Sequence, residues 1–434
     1  MKTNNIFKRI ALPFLILLTI SGCRDKMYEE RTYTANVPIY MNYDELRSSV
    51  SSKSSQNLEN PGKIYFKDNY LFVNEINKGI HIFDNSNPSS PQNISFINIP
   101  GNVDIAVKGD ILYADNYIDL VAIDLGNITS CNVTKRINSV FPYTVPEYDY
   151  NYPLARIDES KGIVIGWKIE EVTELCKDED CGGYYGWKNE GVAFGDMMYT
   201  TAGGSSNSWG ISPRTNGVGG SMARFTTYDN YLYTINNSDL QLFDITVPSG
   251  PVTSSKINIG WNIETLYPYG DKLFIGSQTG MFIYDLATPS NPEYIAQFAH
   301  VRSCDPVVVE GDYAYVTLRS GNFCGGFANQ LDVIDISTIS DPQLIKSYQM
   351  TNPYGLGIDN GTLFICDGDA GLKVYDATDP NNIDQNMLSQ FPGINTFDVI
   401  PFNDVLMMIG SDGLYQYDYS DVNDLVLLST IPIN

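Results

Sequence analysis

Alternation of apolar and polar positions, interrupted by paired turn residues, organises this chain from its first quarter to its end. Seven short alternating runs close on aspartate: 79–84, 120–124, 240–244, 281–285, 331–335, 372–376 and 414–418. Alternation at period two describes β-strands rather than helices. Each run is preceded by another strand-like run that opens on two residues tolerant of positive φ. These openings are Asp68-Asn69, Gly109-Asp110, Asp229-Asn230, Gly270-Asp271, Gly311-Asp312, Asn360-Gly361 and Asn403-Asp404. A turn pair followed at once by a strand is the signature of a tight β-hairpin. Prolines follow most of the aspartates, as Pro88 with Pro91, Pro248 with Pro251, Pro289 with Pro292, and singly Pro342 and Pro380. Proline cannot donate to a ladder, so it ends one strand and turns the chain toward the next. Each unit therefore reads as a four-stranded antiparallel blade.

The closing aspartates lie 40, 120, 41, 50, 41 and 42 residues apart. A period near forty made of short strands predicts an all-β fold, a β-propeller. The stretched interval contains another hairpin signal, Asp158 to Gly162 followed by Ile163-Val-Ile165. Counting it predicts eight blades, with an insertion at about 169–220 in the third unit. Seven blades is the second choice, if that unit is only an extended loop. No long helical periodicity is present to cover a parallel sheet.

Comparing the repeats with one another separates scaffold from surface. The position four before the aspartate holds Ile80, Leu120, Leu240, Met281, Leu331, Leu372 and Leu414, and the position one before holds Phe83, Ile123, Phe243, Tyr284, Ile334, Tyr375 and Tyr417. Both columns are expected in packed blade faces. The position three before holds His81, Val121, Gln241, Phe282, Asp332, Lys373 and Tyr415. So mixed a column is expected at a margin. The aspartates themselves are expected to accept hydrogen bonds from the backbone of the following turn. Leu331-Asp-Val-Ile-Asp335 through Pro342, and Gly371-Leu-Lys-Val-Tyr-Asp376, resemble the LVIVD repeat. The resemblance extends over about 62–434, with a gap at the insertion. It implies a propeller and an exported location, and it brings no catalytic residues.

The first residues point the same way on location. Lys2, Lys8 and Arg9 precede the apolar run 10–20 and then Ser21-Gly22-Cys23. A basic start, a short apolar run and small residues before a cut site predict a signal peptide over 1–22. Leu18 to Cys23 resembles the bacterial lipobox, which implies lipidation of Cys23 with diacylglycerol and a further acyl chain such as palmitate. Residues 23–61 are expected to be a flexible tether, with 34–41 as a possible extra strand. The chain is thus expected in the cell envelope, most simply held at the outer membrane and facing either the cell surface or the periplasm.

Lys and Arg number 27 against 51 Asp and Glu. Removing residues 1–22 takes away three basic residues and no acids, so 24 against 51 leaves −27. That charge repels phosphate backbones, so nucleic acid is not an expected partner. In an exported protein, Cys176 with Cys181 and Cys304 with Cys324 are disulfide candidates. Cys131 and Cys366 are expected to be buried.

Catalytic chemistry finds little support. His81 and His300 lie in repeat positions, and no Gly-x-Ser-x-Gly elbow occurs. Asp367-Gly-Asp-Ala-Gly371 lacks the acid spacing of an EF-hand and reads as a hairpin turn. No CxxC pair suggests zinc. No cofactor, metal or catalytic residue is assigned. Function is expected in the insertion, because long loops on a rigid scaffold carry recognition. Trp167, Tyr184, Tyr185, Trp187 and Trp209 are the candidate binding residues, with Tyr143, Tyr148, Tyr150 and Tyr152 just before them. Aromatic groups rimmed by polar residues suit sugars or a partner protein. The leading expectation is a non-catalytic, lipid-anchored recognition module. The alternatives are a polysaccharide hydrolase or lyase on a propeller, and a structural subunit of an outer-membrane uptake complex. The oligomeric state is left open.

Overall fold

The computed structural model describes residues 29–176, 218–300, 306–320 and 328–433. These fall into two compact units: one with described residues 29–39, 148–159 and 165–176, and a larger one with 40–147, 160–164, 218–300, 306–320 and 328–433.

The larger unit is a seven-bladed β-propeller. Its blades span 61–98, 105–137, 225–258, 263–299, 307–349, 356–391 and 396–432, each with four consecutive antiparallel strands. The first strands of successive blades touch around a central axis, and the second strand of blade 7 reaches the first strand of blade 1. Blade 7 packs Phe397, Ile400, Met407 and Ile409 against Ile64, Phe66, Leu71 and Phe83 of blade 1. Asn85 and Gln416 exchange two side-chain hydrogen bonds of 2.8 Å across the same seam.

The eighth unit does not form. Glu159–Lys161 is a single 3-10 turn, and Ile163–Cys176 is one long strand rather than the first of several. It pairs with Glu29–Met41 in a two-stranded ribbon. The turn chemistry was that of a hairpin, but the pairing partner lies more than a hundred residues earlier in the chain. Seven blades is therefore correct.

The tether expectation also changes over 29–53. Glu29–Met41 is a strand, and the Ser-rich Ser51–Lys53 adds an outer strand to blade 1. Between them is a short helix, Tyr43–Ser48, capped by Asn42, whose side chain accepts from the Glu45 amide at 2.8 Å. Arg47 from that helix and Arg136 from blade 2 both contact Asp119.

Repeat chemistry explains each blade. The first residue of every first-to-second turn (Asp68, Gly109, Asp229, Gly270, Gly311, Asn360, Asn403) has positive φ, between 47° and 59°. All seven closing aspartates accept a backbone hydrogen bond from the residue two further on, at 2.8–3.0 Å. A bulge recurs between the third and fourth strands of each blade, just before the aspartate. Such bulges increase local twist.

The columns four before and one before the aspartate are buried in every blade. The mixed column is a correction: His81, Val121, Gln241, Phe282 and Asp332 are buried as well. The polar members are tolerated there because each has a partner. His81 Nε2 lies 3.0 Å from Glu75, the Gln241 amide donates to Ser255 O at 3.1 Å, and the Ser347 hydroxyl donates to Asp332 at 2.5 Å.

Neighbouring blades are stitched through the proline turns. Tyr113 donates to Pro248 O at 2.8 Å, Tyr233 to Pro289 O at 2.6 Å, Tyr348 to Pro380 O at 2.7 Å, and Ser429 of blade 7 to Pro88 O of blade 1 at 2.6 Å. Blades 2, 3 and 5 each donate to the next in this way, and the last donates to the first. Cys366 is buried as expected, but Cys131 is only half-buried. Among the described residues no helix is long and apolar enough to cross a membrane.

Candidate functional site

In a blade of four alternating strands, the turns after the second and fourth strands lie on one face of the ring. The connection from blade 2 to blade 3 lies between residues 138 and 224, and its last described residues, 218–224, belong to the larger unit. Its last residues close the axis. Val218–Gly219 pairs with Phe66 and Tyr65 of blade 1 as an additional inner strand. Ser221 donates to Asp398 of blade 7 at 3.1 Å and accepts from the Leu356 amide of blade 6 at 2.8 Å. Ala223 O accepts from Leu266 of blade 4 at 2.6 Å, and the Arg224 amide donates to Asp104 of blade 2 at 3.0 Å. Ser221, Met222 and Ala223 are buried. Residues 218–224 thus bind five blades together as a plug.

Beneath the plug is a network of buried charge. Lys63 pairs with Asp104, and both are buried. Burial pushes the Lys63 ammonium down, against the opposing pull of Asp104. Asp115 accepts from Asn102 Nδ2 at 2.8 Å, Val103 N at 2.9 Å and Asp104 N at 2.8 Å. Burial nonetheless pushes its carboxyl up to about 6. Desolvation of the charged form outweighs donation by the two amides. These acids are held by backbone and by fixed partners, which suits a scaffold role.

Asp367 likewise accepts from the Thr351 and Asn352 amides and pairs with Lys373 at 2.6 Å. The Asp367–Gly371 segment is closed by backbone bonds into a strand-linking turn. No group of three or more His, Cys, Asp or Glu among the described residues is placed to hold a metal ion.

Of the aromatic candidates, Trp167 is described and half-buried, while Tyr184, Tyr185, Trp187 and Trp209 lie outside the described residues. Cys23, Cys181, Cys304 and Cys324 also lie outside them, and of Cys176 only the strand position is described. In the smaller unit the structure gathers Trp167 with two of the preceding tyrosines. The Tyr148 ring is 4.7 Å from Tyr150 and meets Trp167 edge-on at 5.9 Å. Tyr150 is 59% exposed.

One residue without a sequence signal positions this cluster. Asn36, fully buried, donates to Asp149 O at 2.9 Å and Tyr152 O at 2.8 Å, and accepts from Asp149 N at 3.2 Å. Its backbone also bonds Pro153 and Ala155. The loop carrying Tyr148 and Tyr150 is therefore fixed to the ribbon. Tyr143 is structural instead: buried, it donates to Gly162 O at 2.8 Å and accepts from Val164 N at 3.0 Å.

The LVIVD repeat matches residues 62–97 and 302–350, which cover nearly all of blade 1 and the whole of blade 5. These blades carry LVIVD repeats. The matched stretches make up well under half of the chain. No curated protein matches it. Among solved structures, a Lactobacillus plantarum protein aligns with TM-score 0.51 at 10% identity, over 86% of this chain and 96% of that one. The computationally designed Ika8 protein aligns with TM-score 0.48 at 9% identity, over 86% and 87%. A functionally unknown protein from Desulfotomaculum acetoxidans aligns with TM-score 0.45 at 11% identity, over 84% and 95%. At these identities the likeness concerns the fold alone.

Proposed function

We propose that this chain is a non-catalytic recognition module, exported and held at the outer membrane by lipid on Cys23, which presents aromatic surface to a glycan or protein partner. The observation that carries this reading is the Tyr148–Tyr150–Trp167 cluster: the Tyr148 ring touches both others, Tyr150 is mostly exposed, and the loop carrying the two tyrosines is fixed by Asn36 to the ribbon that carries Trp167. Rings held in place lose little conformational freedom on binding, so their contact area converts efficiently into affinity. The plugged axis supports the same reading, because it leaves the loops rather than a central passage as the working surface.

The test compares wild type with Tyr150→Ala and Trp167→Ala for binding to fractionated envelope glycans and to copurifying proteins identified by mass spectrometry. Loss of one defined partner in both variants, with unchanged thermal stability, is the expected result. Identical binding profiles for all three proteins contradict the assignment. Anchoring is tested separately: an alkyne fatty acid should label the wild type and not Cys23→Ser, whose signal should move to the soluble fraction.

A further inference from the structure

Blade 3 is joined to blade 4 by a short connection, 259–262, whose central residue is the fourth tryptophan of the chain. Trp261 is 67% exposed, the most exposed aromatic side chain among the described residues. A single exposed apolar side chain is ordinary on a protein surface, so the setting of the ring is what matters. Its backbone is fixed on both sides. Ile259 N and Gly260 N donate to Ser238 O at 2.9 and 3.3 Å, Ile263 N donates to Asn237 O at 3.1 Å, and Gln278 N donates to Asn262 O at 3.0 Å. Asn262 occupies the left-handed region at φ 52°, which turns the chain sharply after the tryptophan. The side chains beside it form an ordered polar rim: Asn262 Nδ2 donates to Gln278 Oε1 at 2.7 Å, and Gln278 Nε2 donates to Glu264 at 3.1 Å. Asn237, Ser238 and Thr279 complete the surroundings on the same face, and nearby Asp239 is neutralised by Lys256 at 2.7 Å.

We infer that Trp261 and this amide and hydroxyl rim form a binding platform for a neutral oligosaccharide. The ring face matches the C–H face of a pyranose, and uncharged donors and acceptors at its edge match sugar hydroxyls. A protein hot spot instead sits within a ring of contacts that excludes water, whereas the side chains ordered beside Trp261 are the polar Asn262, Gln278 and Glu264. Charge selects among glycans. The chain carries a formal charge of −24, and Glu264 adds a local acid, so uronate and sulfated chains are repelled. This deepens the recognition reading above but rests on a different set of residues.

The test uses purified protein with glucan, xylan, mannan and galactan oligosaccharides, and with oligogalacturonate and heparin fragments as acidic counterparts. Binding is read by calorimetry and tryptophan fluorescence. At least one neutral oligosaccharide should bind. Trp261→Ala should weaken it about tenfold or more, Trp261→Phe should weaken it less, and Trp167→Ala should leave it unchanged. Because Trp261 is exposed, the variants should keep the wild-type melting temperature. The inference is overturned if no neutral oligosaccharide binds, if Trp261→Ala binds as wild type does, or if acidic fragments bind equally well. A neutral oligosaccharide whose binding needs Trp167 but ignores Trp261 would also overturn it, while leaving the broader recognition reading in place.

Discussion

Replacing Asp115 by asparagine should raise stability at neutral pH and remove a pH dependence of the wild type. Asp115 is buried and takes three hydrogen bonds on one oxygen, from Asn102, Val103 and Asp104. Asparagine can offer its carbonyl oxygen to the same three donors without a charge to desolvate. Burial raises the folded carboxyl to about 6, from the ordinary 3.8 of an aspartate in water. The folded state therefore takes up a proton at a higher pH than the unfolded state does. The contribution of Asp115 to stability is greatest below the unfolded value and falls as pH rises through about 6. A shift of about two units corresponds to about 3 kcal/mol between the two limits.

Urea unfolding of wild type and Asp115→Asn at pH 4.5, 6 and 7.5 measures this directly. The variant should be more stable at pH 7.5, by up to about 3 kcal/mol, with the gap closing toward pH 4.5. Asp115→Ala should be destabilised throughout, because three buried donors lose their acceptor. At lower pH the slope should reverse. The backbone amides of Ser86, Thr246 and Ser420 hold Asp84, Asp244 and Asp418 below the ordinary carboxylate range. Their contribution is present above the unfolded value and is lost as pH falls through the folded one. Equal pH slopes for wild type and Asp115→Asn between 7.5 and 4.5 would refute the reasoning.

Two further substitutions probe the elements that position the candidate surfaces. Ser221→Ala removes the hydroxyl joining Asp398 to the Leu356 amide, leaving both buried groups short of a partner. It should cost about 2–3 kcal/mol and speed amide exchange at Leu356 and Leu266; exchange unchanged at both would show that the plug does not brace the ring. Asn36→Ala orphans Asp149 O, Tyr152 O and Asp149 N, and should raise exchange and proteolysis across 148–155 while leaving the blades protected. Loss of protection throughout the chain would contradict the separate role given to Asn36.

The blade was legible in the sequence because seven copies expose its rules. The leucine-rich column, the positive-φ turn residues and the aspartates that cap the following turn all recur with the same chemistry and all have the structural meaning read from them. The eighth blade was not legible as false. Asp158 to Gly162 carries the residues of a hairpin turn, and nothing local reveals that the following strand pairs with Glu29–Met41. The mixed column misled for a related reason. His81 and Lys373 read as surface residues, yet each meets an acid on or just beyond the adjacent strand, Glu75 and Asp367. Burial of a polar side chain depends on its partner, and a column of unlike residues hides seven different partners. Ser221 and Asn36 had no signal at all, since their roles come from contacts well over a hundred residues away. Trp261 did have one: it occupies a linker where no other repeat places a tryptophan. Attention to the aromatic-rich insertion passed over it.

The central claim is a ring of seven blades closed by blade 7 against blade 1. Asn85 and Gln416 meet across that seam, both buried and 331 residues apart in sequence. The most direct measurement is oxidation of an Asn85→Cys/Gln416→Cys protein, with the linked peptides identified by mass spectrometry. The account predicts an intramolecular 85–416 disulfide in the folded monomer and none after denaturation. A folded monomer that fails to form it, or that links these positions only between molecules, would contradict the closed ring.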